Sequence, residues 1–431
     1  MKNRFIKSTI ILIIGGFFTK ILGLIIKIIL TRLIGNTGIG LYSMILPTFL
    51  LLNSIAQLGF PTALNVLISS NRYNSKNLII TATIISLLID FFIITFLIIF
   101  AKFISINLLN NKTLYLGLIC IGFTLPFITI SNMLRSYFFA KEKMLSHVIT
   151  NIIEDLIKLL LIIIGVPIFL KKGLEITIAY IILTNIICEL SSIIIFLIIM
   201  PNYKIQKKDL MLNKNNIKSL FKIALPTTGS RLIGSIGYFL EPIIITYVLT
   251  KVGYSSEFIV SEYGIINGYV MQLVLLPSFF TLAISQALIP TISNSYTKKD
   301  FKTINKKLKQ AIIISLLIGI PATTIFIIFP SILLKLIFNT NSGILYTKFI
   351  APICLFHYIQ SPISSTLQAL NKAKISMKGT LIGMIIRTLI LFILSYFKIG
   401  LWSLMIATAT NIVFVTLYDY LNIKKILKLH I

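Results

Sequence analysis

The sequence predicts an all-α polytopic membrane protein. About twelve transmembrane helices form two parallel-repeat six-helix bundles around a central cavity. Three observations predict this. Hydrophobic residues make up 57% of the 431 and charged residues only 12%, about half the share of a soluble domain. The apolar runs last about twenty residues, enough to cross a ~30 Å hydrocarbon layer as helix. Basic residues gather in alternate connections between those runs, and a two-proline motif recurs in the second half of the chain.

The spans read, in order, 8–31, 41–69, 77–103, 114–138, 148–170 and 174–199, then 221–250, 262–290, 310–337, 346–370, 376–398 and 401–422. The first is too long for a signal-peptide core and has no small-residue cleavage site after it, so it reads as a retained span. "GNTGIG" (35–40) follows a membrane span and not a strand. It is therefore expected to be a turn between helices and not a phosphate cradle. Residues 1–200 form the amino-terminal bundle and 221–431 the carboxy-terminal one. The joint, 201–222, is a basic linker running into the next span; its mixed apolar and basic residues suggest an amphipathic helix on the inner surface.

The net charge of +28 raises nucleic acid as a partner, but its distribution excludes it. With the amino terminus inside, the inner connections and span ends hold 26 of the 40 basic residues, including six lysines in 204–222 and six in 298–309. That is the positive-inside asymmetry. It places both termini in the cytoplasm, the chain in the cell membrane, and anionic lipid against the basic connections. Cys120, Cys188 and Cys354 lie far apart inside apolar runs, and the three histidines form no ligand or triad spacing. No metal, cofactor or catalytic residue is expected, and a monomer is the expected state.

"LPTFLLLNSIAQLGFPT" (46–62) matches "LPSFFTLAISQALIPT" (276–291), with paired prolines 230 and 229 residues apart. "TKILG" (19–23) matches "SRLIG" (230–234), and "FAKEKMLS" (139–146) is echoed by "LNKAKISM" (370–377). Similar segments in one order at nearly constant offset indicate an internal duplication. An even number of spans per half gives parallel repeats about an axis along the membrane normal, with the substrate site between the halves.

Charged residues inside the spans are costly and mark function or pairing. Lys20 lies halfway along its span and corresponds in the repeat to Arg231, so both are expected to face the cavity. Lys27 shares the Lys20 face, nearly two turns on, and either joins it or snorkels outward. Arg387, mid-span in "LIGMIIRTLILF", is also expected to point inward. These four are the expected substrate-binding cations, suited to an anionic ligand. Asp90, Glu189 and Glu241 are the candidates for ion coupling or charge balance, with H+ or Na+ as the coupling ion. Glu154 and Lys158, four apart, read as a local ion pair. Gln57 and Gln286 recur with the prolines and are expected either in the cavity or in helix–helix hydrogen bonds. Pro47, Pro61, Pro277 and Pro290 are expected to bend the second span of each half.

"TKILGLIIKIILTRLIGNTGIGLYSMILPTF", "LRSYFFAKEKM", "ALPTTGSRLIGSIGYFLEPIIITYVL" and "EYGIINGYVMQLVLLPSFFTLAISQALIPTISNSY" resemble the stage V sporulation protein B group of polysaccharide-transport proteins. That group belongs to the multidrug/oligosaccharidyl-lipid/polysaccharide exporter superfamily. The resemblance implies a MATE-like fold, a cationic cavity and alternating access. It further implies a lipid-linked sugar substrate carried on undecaprenyl pyrophosphate, with basic residues at Lys20, Lys27 and Arg231. Relatives often carry fourteen spans; the pair that grooves the lipid tail in lipid II flippases has no counterpart among the twelve here.

The function expected is a flippase for such an oligosaccharide or a peptidoglycan precursor, serving cell-wall or spore assembly. The alternative is a cation-coupled multidrug antiporter of the same superfamily, which would need an acidic, aromatic cavity. A membrane polymerase or ligase would need larger outer loops than this chain has.

Overall fold

A computed structural model describes residues 2–70, 74–141, 143–200 and 213–428. The chain divides into two compact units, Met1–Phe239 and Leu240–Ile431. Every regular element among the described residues is a helix.

Unit 1 opens with α1 (Lys2–Gln57), broken at Gly35, whose φ of 66° no ordinary helical residue adopts. The turn expected over 35–40 is thus one residue wide, and helix resumes at once. Leu58 and Gly59, at φ of 44° and 66°, separate α1 from α2 (Phe60–Ser69), where Pro61 occupies the first turn. Asn74 caps α3 (Ser75–Phe103), accepting from the Lys76 N–H, and a π turn, Ile104–Leu108, extends that helix. Three further helices follow: α4 (Tyr115–Ala140), α5 (Met144–Leu170) and α6 (Leu174–Ile199).

The next helix, α7 (Lys214–Val252), crosses the division between the units. Residues 201–212 of the expected surface linker lie outside the described residues. From Lys214 the joint is the start of a long helix packed into unit 1. Leu220 and Ala224 join Phe60, Leu64, Leu78, Phe138 and Phe196 in a buried cluster. Asn216 donates to Asn77 Oδ1 at 2.6 Å. Only Lys214, Lys218 and Lys222 keep the exposed, basic face. The two compact units divide at 239/240, within α7.

Unit 2 continues with α8 (Ser256–Gly264), a π turn (Ile265–Val270), α9 (Met271–Val274) and α10 (Ser278–Thr297). This span is bent by 54° between α9 and α10, at Pro277. Then come α11 (Phe301–Ile328), α12 (Pro330–Phe338), α13 (Ile344–Ala369), α14 (Ala373–Ser395) and α15 (Trp402–Lys428). Asp300 caps α11, accepting from the Thr303 N–H at 2.9 Å. Hydrogen bonds from Thr303, with Lys302 and Lys298 nearby, hold its carboxyl below the ordinary value.

Among the described residues, seven helices are long and apolar enough to cross a membrane, and the bent pair makes an eighth. Their outward faces are apolar and exposed, as at Leu88, Phe91, Phe92 and Phe96 of α3. Water would penalise such a surface and lipid would not. Counted by its breaks, each half presents six crossing segments. The pairing of helices repeats as well. In unit 1 the fourth segment, α4, packs on the second (α2), third (α3) and sixth (α6). In unit 2 the fourth, α13, packs on the second (α10), third (α11) and sixth (α15). The fifth packs on the sixth in both.

Candidate functional site

Arg231, on α7, is exposed and its guanidinium donates to Thr62 Oγ1 at 3.2 Å. Thr62 closes the proline motif 46–62. The contact exists because Gly59 brings α2 against α7: a Cβ there would meet the Ala224 carbonyl oxygen at 2.9 Å and Thr228 Oγ1 at 3.0 Å. One turn along α7, Ser235 hydrogen-bonds Ser54 of α1 at 3.2 Å. Gln57 Nε2 donates to Asn53 Oδ1 at 2.7 Å and is itself buried. The motif, with its repeat-related arginine, thus builds one polar lane inside unit 1: Asn53, Ser54, Gln57, Thr62, Arg231 and Ser235. Gln286, the counterpart of Gln57, is exposed.

Lys20 and Lys27 are both exposed on the first segment of α1. Lys27 feels the charges of Lys20 and of Lys158 on α5, so three ammonium groups share one region. The α1 segment lies close on α5, since a Cβ at Gly15 would overlap Val148. Lys158 donates to Asn185 Oδ1 of α6 at 2.9 Å. The expected Glu154–Lys158 pair therefore does not form.

Glu154 instead takes Arg135 of α4 at 2.8 Å and the Ser192 hydroxyl of α6 at 2.8 Å. Arg135 also reaches toward Glu189 at 3.7 Å. Arg135, Asn185 and Ser192 were not singled out by the sequence. Arg135 sits near a span end, where it reads as one more topological charge. What makes it a bridge is the packing of three helices.

In unit 2, Arg387 is not an isolated cation. It donates to Glu241 Oε2 and lies 3.4 Å from Thr408 Oγ1, while Tyr263 donates to Glu241 Oε1 at 2.9 Å. Both charged groups are buried. Glu241 and Arg387 are thus ion-paired with each other inside unit 2. Asp419 of α15 was also missed. It is wholly buried, accepts from Ser376 at 2.7 Å, and Ser376 in turn meets Ser364 at 2.7 Å. Asp90 is wholly buried, and neither carboxylate oxygen has a hydrogen-bond partner. Among the described residues no cluster of three or more His, Cys, Asp or Glu could hold a metal ion.

Similarity to known proteins agrees with this arrangement. Residues 5–296 match the family described as polysaccharide biosynthesis protein, and residues 232–393 match the MatE family. The chain is 31% identical over 443 residues to stage V sporulation protein B of Bacillus subtilis (strain 168), covering 100% of this chain and 85% of that one. It is 22% identical over 465 residues to the lipid II flippase MurJ of the same organism, covering 99% and 83%. Its fold matches the inward-facing conformation of a multidrug resistance MATE family transporter of the MOP superfamily. That match has a TM-score of 0.78 at 13% identity, over 96% of this chain and 95% of that one. A multi-pass helical chain with a duplicated packing scheme, matched across its whole length by these relatives, belongs to the polysaccharide-transport branch of the multidrug/oligosaccharidyl-lipid/polysaccharide exporter superfamily.

Proposed function

We propose that this chain is a flippase. Its cargo is an undecaprenyl-pyrophosphate-linked oligosaccharide or peptidoglycan precursor, moved across the cell membrane by alternating access. One observation carries the reading: three cations within the spans of unit 1, Lys20, Lys27 and Arg231, are exposed, whereas the acids Asp90, Glu154 and Glu241 are buried or already paired, Glu241 with the buried Arg387. Exposed cations inside a membrane span suit an anionic ligand, and Arg and Lys both bind phosphate oxygens. An exporter of cations would need the acids outermost, which disfavours the antiporter reading. The lipid II flippase among the relatives handles a cargo of the same chemical class.

In this reading Lys20, Lys27 and Arg231 bind the pyrophosphate, and the sugar occupies the polar lane beside Thr62 and Ser235. No covalent bond is made or broken. An inside-negative potential would assist outward movement of the anion, by about 2.3 kcal/mol per charge per 100 mV. The test is flipping of a fluorescent undecaprenyl-pyrophosphate sugar in proteoliposomes. A Lys20→Ala/Arg231→Ala double variant should lose at least about tenfold in rate, the worth of one charge-assisted contact. Wild-type flipping by that variant would overturn the assigned roles.

A further inference from the structure

Gly16, Lys20, Gly23 and Lys27 are spaced by three and four, so they share one face of α1. Both lysines are exposed, and a Cβ added at either glycine would meet nothing within 4 Å. The two cations therefore stand beside open space. Packing gives that space a wall. A Cβ at Gly15 would overlap Val148 of α5, and one at Gly38 would lie 3.2 Å from Leu174, which opens α6 just past the end of α5. Early residues of α1 thus meet early residues of α5, and late ones meet late. The two helices run side by side in the same direction.

That register places Lys158 of α5. It lies ten residues on from Val148, as Ile25 does from Gly15. In depth it therefore stands roughly 3 Å from Lys27 and about 7.5 Å from Lys20. The lysine face of α1 is about a quarter turn from Gly15, and Lys158 is about a quarter turn from Val148 in the opposite sense. For parallel helices in contact, those two flanks border the same groove. Electrostatics agrees, since the ammonium groups of Lys20 and Lys158 both act on Lys27.

Lys158 is held in place without losing its charge. Its ammonium donates to Asn185 Oδ1 of α6 at 2.9 Å, and Asn185 is fixed in turn, its Nδ2 donating to the Ile182 carbonyl at 2.8 Å. A neutral amide orients an ammonium but does not cancel it. The acids nearby are engaged elsewhere or stand off. Glu154 is bonded to Arg135 and Ser192, and Glu189 leans on Arg135 at 3.7 Å. Asp155 feels the charge of Lys158 but forms no ion pair with it. An ammonium carries three N–H donors, and Asn185 takes one. Among the described residues no acceptor takes the other two.

We propose that Lys158 is a further phosphate ligand of the transport site and that Asn185 is the residue that positions it. The cargo's pyrophosphate lies in the groove between α1 and α5. One phosphate sits between Lys27 and Lys158, which stand nearly level on facing flanks, and the other lies toward Lys20. The two free N–H donors of Lys158 go to phosphate oxygens as charge-assisted hydrogen bonds. Lysine binds phosphate as a point charge and imposes no fixed fork, so the group can slide along the groove while remaining bound. Read along α5 alone, Lys158 belongs to Glu154; the packing of α1 and α6 gives it to the groove. The inference rests on the flippase reading and adds two residues to its site.

The test measures binding to purified full-length protein in detergent, with undecaprenyl pyrophosphate as the probe and undecaprenol as its uncharged control. Wild type should bind the first in preference to the second. Lys158→Gln should raise the Kd about tenfold, the loss of one charge-assisted contact. Lys158→Arg, which keeps the charge, should stay within about threefold of wild type. Asn185→Asp separates positioning from structure. It keeps the acceptor but turns a neutral hold into an ion pair, so the unfolding midpoint should hold or rise while the Kd rises about tenfold. Should Lys158→Gln fail to fold, Asn185→Asp decides by itself. A wild-type Kd in Lys158→Gln, or in Asn185→Asp where the glutamine variant does not fold, would overturn this inference and leave the flippase reading standing. A midpoint that falls together with affinity in Asn185→Asp would reduce the bond to a structural one. A wild type that binds the alcohol as well as the pyrophosphate would overturn the flippase reading and this inference with it.

Discussion

Arg387 and Glu241 show what one residue can and cannot reveal about itself. Each, read alone, is an uncompensated charge in a membrane helix. Together, with Tyr263 and Thr408, they form a buried hydrogen-bonded pair. Removing one partner leaves the other charge stranded, which typically costs about 3–5 kcal/mol, whereas replacing both with neutral groups is often tolerated. Arg387→Met should accordingly destabilise the protein far more than Arg387→Met/Glu241→Gln, measured by thermal unfolding in detergent. The same pair of variants separates structure from transport. Flipping that survives in the double variant would mark the pair as a fastening, whereas a well-folded double variant that no longer flips would return the pair to the transport cycle.

Among the elements, the breaks in the second span of each half are the informative ones. Both halves carry the same two prolines, yet the helices part at different ones. Unit 1 breaks at Leu58–Gly59, just before its second proline, while Pro47 stays inside α1. Unit 2 breaks at Pro277, its first, while Pro290 stays inside α10. A proline weakens a helix on its N-terminal side; neighbouring packing decides whether the weakness opens. Gly59 is the packing difference, since α7 leaves no room there for a side chain. Gly35 has a similar φ but nothing near its absent Cβ. Gly35→Ala should therefore cost backbone strain alone, about 1–3 kcal/mol, because its ψ of −172° lies outside the left-handed helical region in one all but closed to side chains. Gly59→Ala, at ψ of 8°, should cost the left-handed penalty of about 1–2 kcal/mol and the clash with the Ala224 carbonyl, a further 1–3 kcal/mol or so. A Gly59→Ala variant destabilised by no more than the left-handed penalty alone, read from its unfolding midpoint, would contradict this account of the break.

For the whole molecule, duplication is visible twice: in matched motifs and in matched helix partners. The fourth segment of each unit is the hub on which the second, third and sixth pack. Six segments in a half would return the chain to the side on which that half began, and the lysine-rich connections should set which side that is. A single cysteine replacing Lys299, in the connection before α11, should react with a membrane-impermeant reagent only in inverted vesicles. One replacing Lys172, between α5 and α6, should react only in intact cells. The reverse pattern would invert the proposed topology and with it the sense of transport.

Much of this was legible in the chain itself. Long apolar runs, alternate basic connections and the recurring proline motif determine a twelve-segment, two-repeat membrane fold, because hydrocarbon forces every backbone polar group into a helix and charge selects the side of each connection. The exposed cations Lys20, Lys27 and Arg231 were likewise named by position alone. Only the tertiary structure decided which charges are already matched. Glu154 leaves its neighbour Lys158 for Arg135, and Arg387 takes Glu241. It also decided that α7 begins life packed into the first unit. Pairing across helices depends on which faces meet, and spacing along one helix carries no information about that.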